Sequence, residues 1–226
     1  MMDGLTLAAT GSLLKFVTDG GVIGYIIVAL SVVAVAVGVA QFSMIRRGTL
    51  LPRALIQDCR NEVQAGRLNR AIELCRDPMR ECYIGRILAA GLARAGGGAL
   101  GLLQVREAMQ EAGEIETGRL YRWTDAIAVI ASVAPLLGLL GTVQGMIGTF
   151  EGVSTGAVND AAYYESLASN ISLALITTFQ GLVVAIPCTA AHVFLRNRIE
   201  ASAAEAGEVA ESFAETLEFL STGARG

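Results

Sequence analysis

Thr142, Thr177 and Thr178 lie in apolar stretches that contain no Asp, Glu, Lys or Arg, and they are the residues of this chain whose type and setting best suit chemistry. A hydroxyl in such a setting has two uses. It can bond the carbonyl one turn earlier in its own helix. It can also line a lumen and exchange hydrogen bonds with water, a passing ion or a carboxyl group. The second use implies a further component, because a bare charge at the centre of a bilayer costs between about 2.5 and 17 kcal/mol, so an ion route needs an ionisable carrier as well as hydroxyls. The chain carries none at the right depth. Asp125 and Glu165 fall at the edges of the apolar stretches, and His192, near the far end of the third, reads as an interfacial histidine rather than a relay.

Thr142 and Thr178 belong to stripes of small residues. In one stretch Ala131, Pro135, Gly138, Thr142, Gly145, Thr149 and Gly152 are spaced four, three, four, three, four and three apart, which places them on one helix face opposite Val129, Val133, Leu136, Leu140, Val143 and Ile147. In the next, Asn170, Ala174, Thr178, Gly181, Ala185, Cys188 and His192 form a similar stripe opposite Ile171, Leu175, Phe179, Leu182 and Ile186. Small residues at this spacing, the Gly141 and Gly145 pair included, also let membrane helices approach closely. Helix packing and the lining of a lumen are therefore both open readings.

The elements that must position these stripes are three candidate membrane spans, residues 20–45, 126–150 and 166–195, each longer than the roughly 20 apolar residues that cross about 30 Å of hydrocarbon. Arg46 and Arg47 follow the first, Arg119 and Arg122 precede the second, and Arg196 and Arg198 follow the third. Loops rich in arginine stay in the cytoplasm, so the expected order is an outer N-terminal segment 1–19, amphipathic over 5–17, then span one, a cytoplasmic helical region 46–125, span two, an outer (periplasmic) loop 151–165, span three, and a cytoplasmic tail 196–226. The first span reads as an uncleaved anchor.

The chain is 53% hydrophobic with a mean hydropathy of +0.54, too apolar for a water-soluble domain of this length. Its net charge of -4 comes with no basic stripe for phosphates, which argues against nucleic acid. Cys59, Cys75 and Cys82 fall in the expected cytoplasmic region and Cys188 in the third span, a distribution that does not make a disulfide framework in a reducing compartment. Paired CxxC spacing for zinc is missing. The sequence shows no phosphate loop, paired carboxylates or nucleophile–base set, so neither an enzyme nor a cofactor is expected.

Within 46–125, Leu55, Cys59, Val63 and Ala71, Leu74, Cys75 recur at helical spacing, punctuated by Pro78 and Gly96-Gly97-Gly98, which predicts a helical hairpin followed by another helix. The hairpin resembles one tetratricopeptide unit, but no second copy follows at that period. From Leu102 a helical pattern runs unbroken into the second span, and beyond the third the positions Ile199, Ala203, Ala206, Val209, Phe213, Leu217 and Leu220 recur every three or four residues opposite glutamates. A single helix over 166–220 would be about 80 Å long. Its apolar stripe in water calls for packing of these extensions on each other or on neighbouring subunits.

The run Ala134-Pro135-Leu136-Leu137-Gly138-Leu139-Leu140-Gly141-Thr142-Val143 through Gly145-Met146, followed by Ala174-Leu175-Ile176-Thr177-Thr178 and Gly181-Leu182-Val183-Val184-Ala185-Ile186-Pro187, closely resembles the ExbB/TolQ/MotA proton-channel family. A looser likeness extends over 88–95 and 106–113, and three spans match the ExbB and TolQ branch. The resemblance implies an all-α fold in a ring-shaped, pentameric oligomer of the bacterial inner membrane. It also implies a partner of the ExbD or TolR type whose single helix brings a membrane aspartate, with a TonB- or TolA-like protein beyond it. Thr142 matches the threonine of the family's GLxGTV motif and Thr178 that of its third-span motif, both flanking the proton route, with Thr177 beside it. Pro135, Gly138, Gly141, Gly145, Thr149, Asn170, Ala174 and Gly181 then line the pore or pack the helices. One position departs: where many ExbB and TolQ members have glutamate before the third-span threonine, this chain has Leu173. The stretch Thr177-Thr178-Phe179-Gln180-Gly181 leans toward the flagellar branch, some of whose members use sodium. The expected role is a subunit coupling proton flow to mechanical work. The alternatives are a sodium-driven motor subunit and a structural membrane scaffold.

Overall fold

The structure, a computed structural model, describes residues 20–80, 82–95, 98–154 and 161–223. The expected N-terminal segment 1–19 and the middle of the 151–165 loop lie outside them. Among the described residues the regular elements are all helical: α1 (Gly21–Met44), a single turn α2 (Arg47–Leu50), α3 (Arg53–Gln64), α4 (Leu68–Arg76), a 3-10 turn (Pro78–Arg80), α5 (Tyr83–Leu92), α6 (Gly98–Ser154) and α7 (Ala161–Gly223). Three of them, α1, α6 and α7, are long and apolar enough to cross a membrane. The chain divides into two compact units, one built from residues up to 39 together with 125–193, the other from 40–124 and 194 onward. Both α6 and α7 contribute to each unit.

In the first, apolar unit the helices form because long runs of Ala, Leu, Val and Ile satisfy every backbone group internally, as hydrocarbon demands. Pro135 lies inside α6 and Pro187 inside α7, and neither ends its helix. Only 22% to 33% of each apolar stretch is buried within the chain, so most of its surface must be covered by lipid or by other membrane helices. Val129, Leu136, Leu140, Val143 and Ile147 of α6 and Leu175, Phe179 and Ile186 of α7 are exposed. The small-residue faces turn the other way.

The second, polar unit is built around α5. Tyr83, Ile84, Ile87, Leu88, Ala89 and Leu92 are all buried, the pattern of a helix surrounded by others. The hairpin of α3 and α4 packs beside it with Leu55, Cys59, Val63, Ala71 and Cys75 inward. Its turn is a Schellman motif: Gly66, at φ +72°, donates to Val63 O at 3.0 Å, and Arg67 N donates to Glu62 O at 2.9 Å. The Arg67 side chain then grips the Glu62 carboxylate at 2.6 Å, and this hydrogen bond holds the Glu62 pKa below its usual value. A carboxylate depressed in this way favours the folded hairpin above its unfolded pKa, and the contribution fades as pH falls through the lowered one. The tail of α7 is covered within the same unit. Ile199, Ala206, Phe213 and Leu217 are buried, Arg60 lies over the Phe213 ring and donates to Ser212 Oγ at 2.9 Å, and Arg106 of α6 pairs with Glu211 and Glu218.

Where α1 enters this unit, Gln41 is 4% exposed and Thr124 fully buried. The Gln41 amide donates to Trp123 O, and the Thr124 hydroxyl lies 3.0 Å from Gln41 Oε1 and 3.1 Å from Leu120 O. A Gln41→Leu variant is expected to cost about 1–3 kcal/mol by orphaning these groups, read as a lower Tm in detergent. Adding Thr124→Val should recover part of the loss, since a network removed from both sides leaves less unsatisfied.

Candidate functional site

The small-residue stripes of α6 and α7 meet as an antiparallel seam inside the apolar unit. A side chain at Gly145 would meet Asn170 O at 2.6 Å and the Ala174 Cβ at 2.8 Å, and one at Gly181 would meet Ala134 O at 2.6 Å. One at Gly138 would come within 3.0 Å of the Thr178 Cα, and one at Gly141 would overlap the Thr177 side chain. The backbones touch because these positions have no Cβ. Gly138, Gly141, Gly145, Ala174 and Gly181 are thus buried in the seam, with Pro135, Thr149 and Asn170 half-buried along its margin.

The three threonines take different places on this frame. Thr177 is fully buried against Gly141, and its hydroxyl is 3.0 Å from both Leu173 O and Ala174 O of its own helix. Thr178, half-buried, donates across the seam to Gly138 O at 3.2 Å or back to Ala174 O at 3.2 Å. Thr142, also half-buried, donates to Leu139 O at 2.6 Å, and Thr149 to Gly145 O at 3.0 Å. In each case the single hydroxyl proton is taken by a carbonyl. What such a hydroxyl offers to an arriving group is its lone pairs. Lone pairs accept a hydrogen bond from a protonated carboxyl and repel a carboxylate, so Thr142 and Thr178 at the seam's edge favour the neutral form of an acid placed beside them. Leu173, half-buried, reaches within 3.3 Å of the Cβ position of Gly21 at the start of α1. His192 is half-buried and Cys188 buried, and Asp125 and Glu165 are exposed.

Gln180 and Glu116, like Gln41 and Thr124, are buried polar side chains that the sequence reading did not single out. Gln180 is 5% exposed in the apolar part of α7, with its amide against Gly20. In the polar unit Glu116 is 6% exposed and takes Arg86 at 2.7 Å and Arg119 at 2.6 Å. Glu116 had a detectable signal, since Val105, Met109, Ala112 and Glu116 follow one another at four, three and four residues, on the face that carries the buried Val105 and Met109. Nearby, Tyr83 shares a 2.8 Å hydrogen bond with Thr117, and burial raises the Tyr83 pKa. Among the described residues no cluster of His, Cys, Asp and Glu could hold a metal ion.

A close-packed helix seam edged with hydroxyls, in long apolar helices, places the chain in the class of membrane proteins built from packed spans. Residues 81–208 match the MotA/TolQ/ExbB proton channel family, and the chain belongs to that family. It is 34% identical over 188 residues to the ExbB-like 1 biopolymer transport protein of Synechocystis sp., covering 80% of this chain and 70% of that one. It is 29% identical over 194 residues to an ExbB homolog of Methanothermobacter thermautotrophicus, covering 84% of this chain and 65% of the relative. An 84-residue stretch is 42% identical to the biopolymer transport protein ExbB of Aquifex aeolicus, covering 37% of this chain and 51% of the relative. The family and the three apolar helices together fit an inner-membrane protein, in a family of channel subunits rather than enzymes.

Proposed function

We propose that the chain is the channel-wall subunit of an inner-membrane motor, several copies of which, five by resemblance to the family, surround the single membrane helix of an ExbD- or TolR-like partner that carries the titrating carboxyl group. The observation that carries this reading is the pairing of hydroxyls at the α6–α7 seam with spans free of Asp, Glu, Lys and Arg over 20–45, 126–150 and 166–195. A proton channel with no carrier of its own needs one from another polypeptide. Arginines at 46, 47, 119, 122, 196 and 198 support a cytoplasmic polar unit and an N-terminus on the periplasmic side.

In this mechanism an ion entering from outside neutralises the partner's carboxylate. The neutral acid is tolerated by the apolar wall and donates to the lone pairs of Thr178 and Thr142; release inward recharges it. Each elementary charge crossing 100 mV supplies about 2.3 kcal/mol, and successive crossings turn or pull the partner helix. Thr177 holds the seam behind Thr178. The carried ion is the proton, with sodium the alternative. The work energised is transport or another envelope process, through a TonB- or TolA-like protein.

Thr178→Val is the test. It removes the acceptor lone pairs while keeping the shape, so the complex with the partner should assemble at normal mass in detergent while proton flux in liposomes falls about 10-fold or more, by about 1.4 kcal/mol per tenfold step. Thr178→Ser should restore flux. Full activity in the valine variant would remove Thr178 from the route, and coupled transport by this chain without any partner would end the reading altogether.

A further inference from the structure

The Cys59–Cys75 pair at the heart of the α3–α4 hairpin is, we infer, a reversible two-electron oxidation site, closed to a disulfide by hydroperoxides. Both cysteines point into the core of the polar unit, Cys59 0% and Cys75 3% exposed, and their Sγ atoms are 2.9 Å apart. They sit on facing helices joined by the Gly66 turn, so the Schellman motif that orders the hairpin also sets their register. The Cys59 thiol is 3.8 Å from Ala71 O. With its proton directed there, Cys59 presents a lone pair to Cys75, and Cys75 is the donor of the S–H···S contact. A disulfide needs an S–S length of about 2.05 Å. Closing the 2.9 Å gap asks the two sulfurs to approach by about 0.9 Å.

The pair also has a way in. A surface pocket of about 450 Å³ is lined by Cys75, Arg76, Pro78, Arg86, Ala89 and Ala90, whereas Cys59 is 0% exposed and does not line it. Cys75 is therefore the attacking sulfur and Cys59 the resolving one. Cys75 loses its proton and attacks one oxygen of a hydroperoxide; the O–O bond breaks, and the leaving alkoxide takes up the proton as an alcohol. The sulfenic acid so formed on Cys75 is attacked by Cys59; the S–O bond breaks and hydroxide leaves with the Cys59 proton as water. Two thiols and one hydroperoxide become one disulfide, one alcohol and one water, the two electrons coming from the sulfurs. The hydrogen bond with Cys59, aided by burial, raises the Cys75 pKa, so the resting pair is a dithiol.

Oxidation would tie α3 to α4 one residue from Arg60, which reaches to Ser212 and Phe213 of α7. The full chain in detergent is treated with tert-butyl hydroperoxide, capped with N-ethylmaleimide and digested without reductant. The expected result is a cross-linked pair of peptides carrying Cys59 and Cys75, loss of two hydrogens from the intact mass, reversal by dithiothreitol, and amide exchange in α3 and α4 slowed about tenfold or more. Cys59→Ala and Cys75→Ala should each abolish the cross-link, and Cys82→Ala and Cys188→Ala should keep it. A Cys75–Cys82 bond, cross-links between chains alone, or no bond under conditions that oxidise an exposed reference thiol would each overturn the assignment.

Discussion

A Gly145→Val variant is expected to lose about 3 kcal/mol or more of stability and all partner-dependent proton flux. The new Cβ would stand 2.6 Å from Asn170 O and 2.8 Å from the Ala174 Cβ, and neither atom is the far end of a flexible side chain that could swing away. The helices must separate along the seam, which also draws Gly138 O away from the Thr178 hydroxyl. Overpacking of a tight core costs about 1–3 kcal/mol and occasionally more, and backbone-to-backbone contact places this site at the upper end. Gly38→Val is the control. It adds the same volume to another membrane helix where nothing lies within 4 Å, so its effect should stay within about 0.5 kcal/mol. Thermal unfolding in detergent separates the two, and equal losses would show that the seam is not the source.

Glu116→Ala is expected to cost about 3 kcal/mol. The carboxylate is the buried member of a charged triad, with its side chain 7% exposed against 39% for Arg86 and 53% for Arg119. Breaking a buried ion pair from one side costs about 3–5 kcal/mol because the partner is stranded; the partial exposure of both guanidinium groups puts this case at the low end. Arg119→Ala, an exposed partner three residues along the same helix, should cost under about 1 kcal/mol. Glu116→Met with Arg86→Met should restore most of the stability, since an apolar pair of similar size replaces the ions. The measurement is the Tm of each variant in detergent, and a Glu116→Ala loss no larger than that of Arg119→Ala would show the buried charge to be dispensable.

Much of this architecture could be read from residue types alone, for physical reasons that also explain where the reading stops. Length and apolarity locate membrane helices without reference to tertiary structure, and α1, α6 and α7 hold the three apolar stretches. No glycine or proline cluster interrupts the pattern between Leu102 and Trp123, where α6 runs unbroken, and the apolar recurrence from Ile199 to Leu220 accompanies the unbroken tail of α7. Periodicity identifies a face but not what the face meets. Gly138, Gly141, Gly145 and Gly181 are small and aligned whether they line a lumen or touch another helix, and only the fold places Asn170 O against Gly145 and Ala134 O against Gly181. Thr177 and Thr178 are adjacent, yet a helix turns about 100° per residue, so one is sealed in the seam and the other lies at its edge. Buried polar groups were the least legible. Glu116 lies among Glu107, Glu111 and Glu114 and looks like one more solvated acid unless its spacing from Val105 and Met109 is followed, and Gln41 is one amide near the end of an apolar run. Their burial depends on partners 30 or more residues away in sequence.

The single arginine in the middle of α5 bears on how the chain reaches its final topology during synthesis. α5 is apolar enough to tempt the insertion machinery, but its ten residues rise about 15 Å, half the hydrocarbon thickness. Arg86 at its centre adds about 2.5–3.5 kcal/mol against entering lipid. Glu116 lies 30 residues downstream, on α6, so until α5 and α6 pack together the positive charge has no fixed partner. The charge thereby disfavours α5 as a membrane segment, and in the folded polar unit the Glu116 carboxylate neutralises it at 2.7 Å.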